Sequence, residues 1–211
     1  MVKLQKLFSY RWSIAIELGI LTFFLFRRQL FTQGDYAVRR YLFLLCLIIV
    51  LVISRLCRFD KKRLGFAPAV WLASIKNIIP ITVLACLGLI IAHTYQPALF
   101  AFGPQNQSTL WLVFKYSSYL LISVPIQELA FRGYFITRLE QFTHHRLILI
   151  LIPSFVFGIS HAPFGSWFIT LGSMIFSIPL AINFLRYRNL YTLMFAHAIV
   201  GTLLVYLINT G

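Results

Sequence analysis

The sequence predicts an all-α integral membrane protein, a polytopic helical bundle with about seven transmembrane helices (six to eight). Its 211 residues are 60% hydrophobic and only 11% charged, whereas soluble domains are about 45–50% apolar and about 25% charged. A spanning helix needs about 20 mostly apolar residues, so seven such segments would use about two thirds of the chain. The remaining loops are too short to fold as a separate domain.

Seven apolar runs are long enough, or nearly long enough, to span a bilayer. All are predicted to be helices, because hydrocarbon offers no water to bond the backbone and the runs lack the alternating pattern of barrel strands. They form one continuous membrane domain, with N-terminal helices in 1–108 and a core that carries the motifs below in 109–211. The runs are 12–27, which contains Glu17 and fits a span least well, 41–57, 69–93, 109–137, 147–163, 166–185 and 190–208.

The distribution of Lys and Arg predicts that the N-terminus is cytoplasmic, because cytoplasmic loops carry an excess of these residues. In this orientation the inside segments hold twelve of them and the outside segments four. The net charge of +14 then mainly reflects cytoplasmic loops, whose basic residues also bind anionic lipid head groups. No nucleic-acid partner is needed to explain this charge. The twelve are Lys3, Lys6, Arg11, Arg55, Arg58, Lys61, Lys62, Arg63, Arg138, Arg146, Arg186 and Arg188.

The most informative acidic residue is Glu128, because it lies inside the fourth apolar run while the other four acids lie in loops or in the first run. A charge at the bilayer centre costs at least about 2.5 kcal/mol and usually marks function. Arg132 is four residues later, on the same helix face, and is predicted to pair with Glu128. Pro125, three residues earlier, is predicted to bend the helix.

Two histidines are predicted to join Glu128 in a buried polar centre. At about 1.5 Å per residue from the nearest basic anchors, Glu128 is about 15 Å deep, His197 about 14 Å and His161 about 22 Å. Helix tilt or a kink at Pro153 would bring His161 level with the other two. Three ionisable side chains from three helices would then meet near the middle of the bilayer.

Such a centre is suited to hydrolysis. A carboxylate in a low-dielectric site can take a proton from water near neutral pH, and a histidine can position that water or donate to an oxyanion. A purely structural interpretation pairs Glu128 with Arg132 and bonds the histidines to neighbouring helices, as Ser177 and Asn183 are expected to do in the sixth run.

Two other kinds of chemistry fit the same residue types. A zinc site assembled from three distant helices is one, although the common H-E-x-x-H motif does not occur. A proton relay in a transporter or channel is the other, and no inverted repeat supports it.

The order Glu128-x-x-x-Arg132, then Phe157-x-x-x-His161, then His197, each in a separate membrane segment, resembles the CPBP family of intramembrane proteases. This family includes the type II CAAX prenyl endopeptidases and the bacterial Abi proteins linked to bacteriocin self-immunity, and the resemblance covers about 116–205. It implies that glutamate and the histidine of the second motif activate water, that the histidine of the third motif helps to stabilise the oxyanion, and that no metal or other cofactor takes part. It also implies a membrane protein or peptide as substrate and a prokaryotic plasma membrane as location.

Two positions depart from the family pattern. Gln127 stands where the family has its first glutamate, and an amide cannot act as a base. Gly201 stands where the family often has an asparagine, and glycine has no side chain to donate. We expect either that Glu128 acts as the base of a glutamate-type endopeptidase, or that the chain is a catalytically silent scaffold for a cell-envelope or signalling partner. The cost of keeping a buried polar centre favours the endopeptidase.

Overall fold

The computed structural model describes residues 36–101 and 108–210, and in these ranges the chain forms six helices joined by short turns. The only extended pairing within the same ranges is an isolated bridge between Phe66 and Asn189. The predicted all-α class is therefore confirmed. The helices are α1 (Tyr36–Leu56), α2 (Trp71–Tyr95), α3 (Thr109–Leu139), α4 (Arg146–Ile159), α5 (Trp167–Tyr187) and α6 (Leu190–Thr210).

Each predicted run that falls in the described ranges coincides with one of these helices, while the run 12–27 and Glu17 lie outside them. The prediction was wrong at the end of the run 147–163. Helix α4 ends at Ile159, and a 3₁₀ turn follows at Ala162–Phe164. A proline at position 163 has no N–H to donate to the carbonyl of Ile159, and the loss of this hydrogen bond favours the end of the α-helix here.

Four helices of the described part are long and apolar enough to cross a membrane: α2 with its preceding turn (Pro68–Tyr95), α3, α5 and α6. Helix α4 and the stretch Leu47–Leu56 of α1 are apolar but shorter. The predicted count of about seven spans is therefore not confirmed. The outer surface is apolar, with Leu72 73% exposed and Leu110 83% exposed. Contiguous exposed apolar surface of this kind fits lipid, as expected of an integral membrane protein.

The core lies where α3 is enclosed by the other helices. Helix α4 packs along α5, and α2 packs along α6. The contact between α4 and α5 depends on Gly158, where an added Cβ would lie 2.5 Å from Cβ of Met174. Most buried apolar side chains come from α3 to α6, including Leu129, Phe131, Tyr134, Phe135, Ile136, Phe157, Leu180, Phe184, Leu193 and Ala196.

Buried polar side chains connect α2, α5 and α6. The amide of Asn183 donates to the backbone oxygen of Ser74 at 3.0 Å, and the Ser74 hydroxyl donates to Oδ1 of Asn183 at 2.7 Å. Oγ of Ser74 also lies 2.5 Å from Oγ1 of Thr192. Interhelical hydrogen bonds of this type stabilise helix association in lipid, and the predicted role of Asn183 is confirmed.

Candidate active site

The site is built on α3, which is not a regular α-helix. It begins at the N-cap Ser108, whose hydroxyl accepts from the N–H of Trp111, and it contains π-helical turns at Tyr119–Ser123 and Leu129–Ile136. Between the two π turns is the short α-helical segment Val124–Glu128. A π turn holds an extra residue, so it changes the directions in which the following side chains point, and such turns are frequent at functional sites.

Glu128 is the centre of the candidate site and is completely buried. Its Oε1 atom accepts from Nη1 of Arg132 at 2.9 Å, and Nδ1 of His197 lies 2.7 Å from the same oxygen. Since a carboxylate is an acceptor only, Nδ1 of His197 carries the proton in this contact and Nε2 is directed to the other side of the ring. The predicted pairing of Glu128 with Arg132 is therefore confirmed, and His197 of α6 joins the same carboxylate.

Arg132 is also completely buried and has three kinds of partner. Beyond the contact with Glu128, its Nη2 donates to Oγ of Ser177 in α5 at 2.8 Å. Its guanidinium carbon lies 4.3 Å from the ring centre of Phe157 in α4, a cation–π contact. Opposite charges in contact offset part of the cost of burying each one, so Arg132 and Glu128 stabilise each other inside the helix bundle.

The second carboxylate oxygen of Glu128 has a different environment. Oε2 is buried and has no hydrogen-bond partner among the described residues. A buried acceptor without a partner costs free energy, since it has lost its bonds to water. The carboxylate is thus fixed through Oε1, while Oε2 can accept a hydrogen bond or a proton.

Phe157 connects the two histidines to the charged pair. Its ring centre lies 4.7 Å from that of His161 and 5.6 Å from that of His197. Nδ1 of His161 is 2.8 Å from the backbone oxygen of Phe157. Because that oxygen only accepts, Nδ1 carries the proton and Nε2 has the lone pair. Sequence reasoning placed Phe157 in a motif but did not find that its ring contacts both histidines and Arg132.

His161 itself is not on a spanning helix. It lies two residues after the end of α4, in the turn before Ala162–Phe164, and its ring stacks on Phe164 with centres 5.8 Å apart. The expected arrangement of three ionisable groups on three helices is corrected here, since two come from helices and the third from the turn after α4.

The two positions that depart from the family pattern have defined contacts. Nε2 of Gln127 donates to Oγ of Ser123 at 2.7 Å, one turn earlier in the same helix. A Cβ at Gly201 would lie 1.6 Å from the hydroxyl oxygen of Tyr119, so the phenol of Tyr119 occupies the space beside this glycine. Tyr119 had no signal in the sequence, because only the fold brings it to Gly201.

Metal-binding side chains do not cluster in the part of the chain that the structure describes, where no group of three or more His, Cys, Asp or Glu could hold an ion. The three-helix zinc site considered above is thus not formed by these residues. His144 and His145 are exposed and lie in the turn before α4.

Comparison with known proteins relates part of the chain to a family. A family model described as Type II CAAX prenyl endopeptidase Rce1-like matches residues 107–203. This segment contains all the side chains of the candidate site. No curated protein and no solved structure matches the chain.

Proposed function

We propose that this chain is an intramembrane endopeptidase that uses a glutamate, since its residues 107–203 match the family model described as Type II CAAX prenyl endopeptidase Rce1-like. Its substrates in this proposal are membrane-associated proteins or peptides, in CAAX-type or bacteriocin-related processing. The observation that supports the proposal best is the buried carboxylate of Glu128, which is held through Oε1 by Arg132 and His197 while Oε2 has no partner among the described residues.

In this proposal Glu128 is the general base. Oε2 takes a proton from water, and the resulting hydroxide attacks the carbonyl carbon of the scissile peptide. The tetrahedral intermediate then expels the amine, which leaves with the proton that Oε2 held. Arg132 acts as a positioning residue, because it holds Oε1 on the side away from the reaction.

The two histidines have different roles in this reaction: His161 binds the attacking water and His197 binds the oxyanion. The proton of His161 on Nδ1 is directed to the backbone oxygen of Phe157, so its Nε2 can accept a hydrogen bond from the attacking water. His197 is held by Glu128 through Nδ1, and its Nε2, when protonated, donates to the oxyanion. Phe157 contacts both rings and keeps them at the same site.

The test is cleavage of a membrane-anchored peptide by the purified protein in liposomes. Glu128→Gln is the informative variant, because glutamine has nearly the same shape and cannot act as a base. We expect cleavage by the natural sequence and none by Glu128→Gln. As a control, Gln96→Ala changes an exposed side chain outside the site and should leave the rate unchanged. Equal rates for the natural sequence and Glu128→Gln would disprove the assignment.

The second candidate function is a catalytically silent scaffold, and one observation favours it. The amide of Gln127 stands in the place of the family's first glutamate and is bonded to Ser123 rather than directed to a substrate. A scaffold should keep its biological activity unchanged in Gln127→Glu, and a membrane-protein partner should copurify with it. Absence of a partner, together with faster cleavage by Gln127→Glu, would contradict the scaffold.

A further inference from the structure

Tyr119 and Gly201 form a matched pair between α3 and α6. An added Cβ at position 201 would lie 1.6 Å from the hydroxyl oxygen of Tyr119 and 2.6 Å from its Cζ atom. Atoms that are not bonded cannot approach so closely, so only a glycine at 201 leaves room for the phenol. The missing side chain at 201 is therefore replaced by a hydroxyl group that comes from another helix.

This hydroxyl borders the candidate active site. Gly201 is four residues after His197, so the two lie on one face of α6, one turn apart. The ring centre of Tyr119 is 6.1 Å from that of His197, in an edge-to-face arrangement. Nδ1 of the same His197 ring lies 2.7 Å from Oε1 of Glu128, so His197 contacts both Tyr119 and the carboxylate. Tyr119 is half-buried, as expected of a side chain at the edge of a site.

The π turn at Tyr119–Ser123 explains how Tyr119 reaches this place. The N–H of Val124 donates to the carbonyl of Tyr119, five residues earlier, rather than to the usual residue four positions back. Pro125 follows directly and has no N–H of its own to donate. The wider turn rotates Tyr119 relative to Glu128 from the direction that it would have in a regular α-helix.

The Tyr119 hydroxyl makes a long, weak hydrogen bond in the structure. It donates to the backbone oxygen of His197 at 3.4 Å, which is long for an O–H···O bond, where about 2.7–2.8 Å is usual. A carbonyl inside a helix also accepts the N–H four residues later, so it does not depend on the phenol. The O–H of Tyr119 can therefore turn to another acceptor at little cost.

We propose that the Tyr119 hydroxyl donates a hydrogen bond to the oxyanion of the tetrahedral intermediate, beside His197. This inference rests on the proposed endopeptidase function. When hydroxide attacks, the carbonyl π electrons move to the oxygen, and Tyr119 stabilises that charge without giving up its proton. When the C–N bond breaks, the electron pair returns to re-form the carbonyl, and the amine takes the proton held by Glu128. Tyr119 thus supplies the donor that Gly201 lacks.

Tyr119→Phe is the direct test, since it removes only the hydroxyl and keeps the ring that fills the space beside Gly201. In the liposome cleavage assay we expect kcat to fall about 10²–10³-fold, the usual effect of losing one oxyanion donor, with KM unchanged. Tyr206→Phe, an exposed tyrosine of α6, is the matched control and should cleave at the natural rate.

An exchange of the two side chains separates a donor from a packing role. Tyr119→Ala should cleave slowly, and adding Gly201→Asn to it should restore part of kcat, because the amide then donates from α6. Natural kcat in Tyr119→Phe, with Glu128→Gln inactive, would overturn the role of Tyr119 and leave the proposed function intact. If Glu128→Gln cleaves like the natural sequence, the proposed function fails, and this inference fails with it.

Discussion

Nδ1 of His197 lies 2.7 Å from Oε1 of Glu128, a contact between residues that are 69 positions apart in the chain. The same oxygen accepts from Arg132 at 2.9 Å. Arg132 in α3 and His197 in α6 thus hold Oε1 from two helices. Oε2 stays available to accept a proton. The contact therefore connects α6, the last helix, to the middle of α3.

The ion pair should be costly to break from one side. Arg132→Met leaves the Glu128 carboxylate buried without its counter-charge, and we expect the free energy of unfolding to fall by about 3–5 kcal/mol. Replacing both residues by Met should cost less than Arg132→Met alone, since no unpaired charge stays inside. Denaturant unfolding in detergent micelles measures both values. Arg146→Met, at an exposed arginine, is the control and should change little.

The hydrogen bond from Arg132 to Ser177 should contribute measurably to stability. Ser177→Ala removes an acceptor from a charged donor, and such bonds are worth about 1.5–3 kcal/mol. Ser54→Ala is a matched control, because Oγ of Ser54 is buried and has no hydrogen-bond partner among the described residues. We expect Ser54→Ala to leave the unfolding free energy unchanged. Equal losses in the two variants would contradict a specific role for Ser177.

The sequence predicted two kinds of contact: those set by spacing along a helix, and those that a polar side chain needs because lipid offers it no hydrogen-bond partner. Glu128 and Arg132 are one helical turn apart, so their pairing followed from the helix itself. Asn183 is a polar residue in an apolar run, where lipid offers it no partner, so a bond to a neighbouring helix was expected and is found at Ser74. The helix bounds followed approximately from the apolar runs, except at the end of α4, which stops at Ile159.

The rest of the site depends on features that hydrophobic patterns do not carry. A hydrophobic pattern does not show where the backbone departs from α-helical hydrogen bonding, so nothing in 109–137 indicated the π turns that reorient Tyr119 and Glu128. The contact between Tyr119 and Gly201 depends on how α3 and α6 pack, and no local rule gives that. The end of α4 had only a weak signal, because a proline at 163 cannot donate to the carbonyl of Ile159, yet Pro153 lies inside the same helix.

Phe157 should matter for cleavage more than for folding. Phe157→Leu keeps an apolar side chain but removes the ring that contacts Arg132, His161 and His197. We expect cleavage to fall at least about tenfold, because small displacements of catalytic groups have effects of this size or larger. Phe155→Leu changes a phenylalanine of the same helix that is 55% exposed, and it should cleave at the natural rate. Similar rates for both variants would count against the role of Phe157 in the site.

The close packing of α4 against α5 should be needed both for stability and for the site. In Gly158→Ala the added Cβ would lie 2.5 Å from Cβ of Met174 and 2.9 Å from the backbone oxygen of Thr170, so the helices must move apart. Overpacking of this kind costs about 1–3 kcal/mol. Since Gly158 directly follows Phe157, the same movement should displace the Phe157 ring and lower the cleavage rate.

Gly172→Ala provides the matched control for this prediction, because a Cβ at Gly172 has no atom within 4 Å. Alanine is the better helix former by about 1 kcal/mol, so Gly172→Ala should be as stable as the natural sequence or more stable. Unfolding in detergent and cleavage in liposomes are measured on both variants. A loss in Gly158→Ala without a loss in Gly172→Ala assigns the effect to the contact between α4 and α5. Equal behaviour of the two would mean that this contact does not position Phe157.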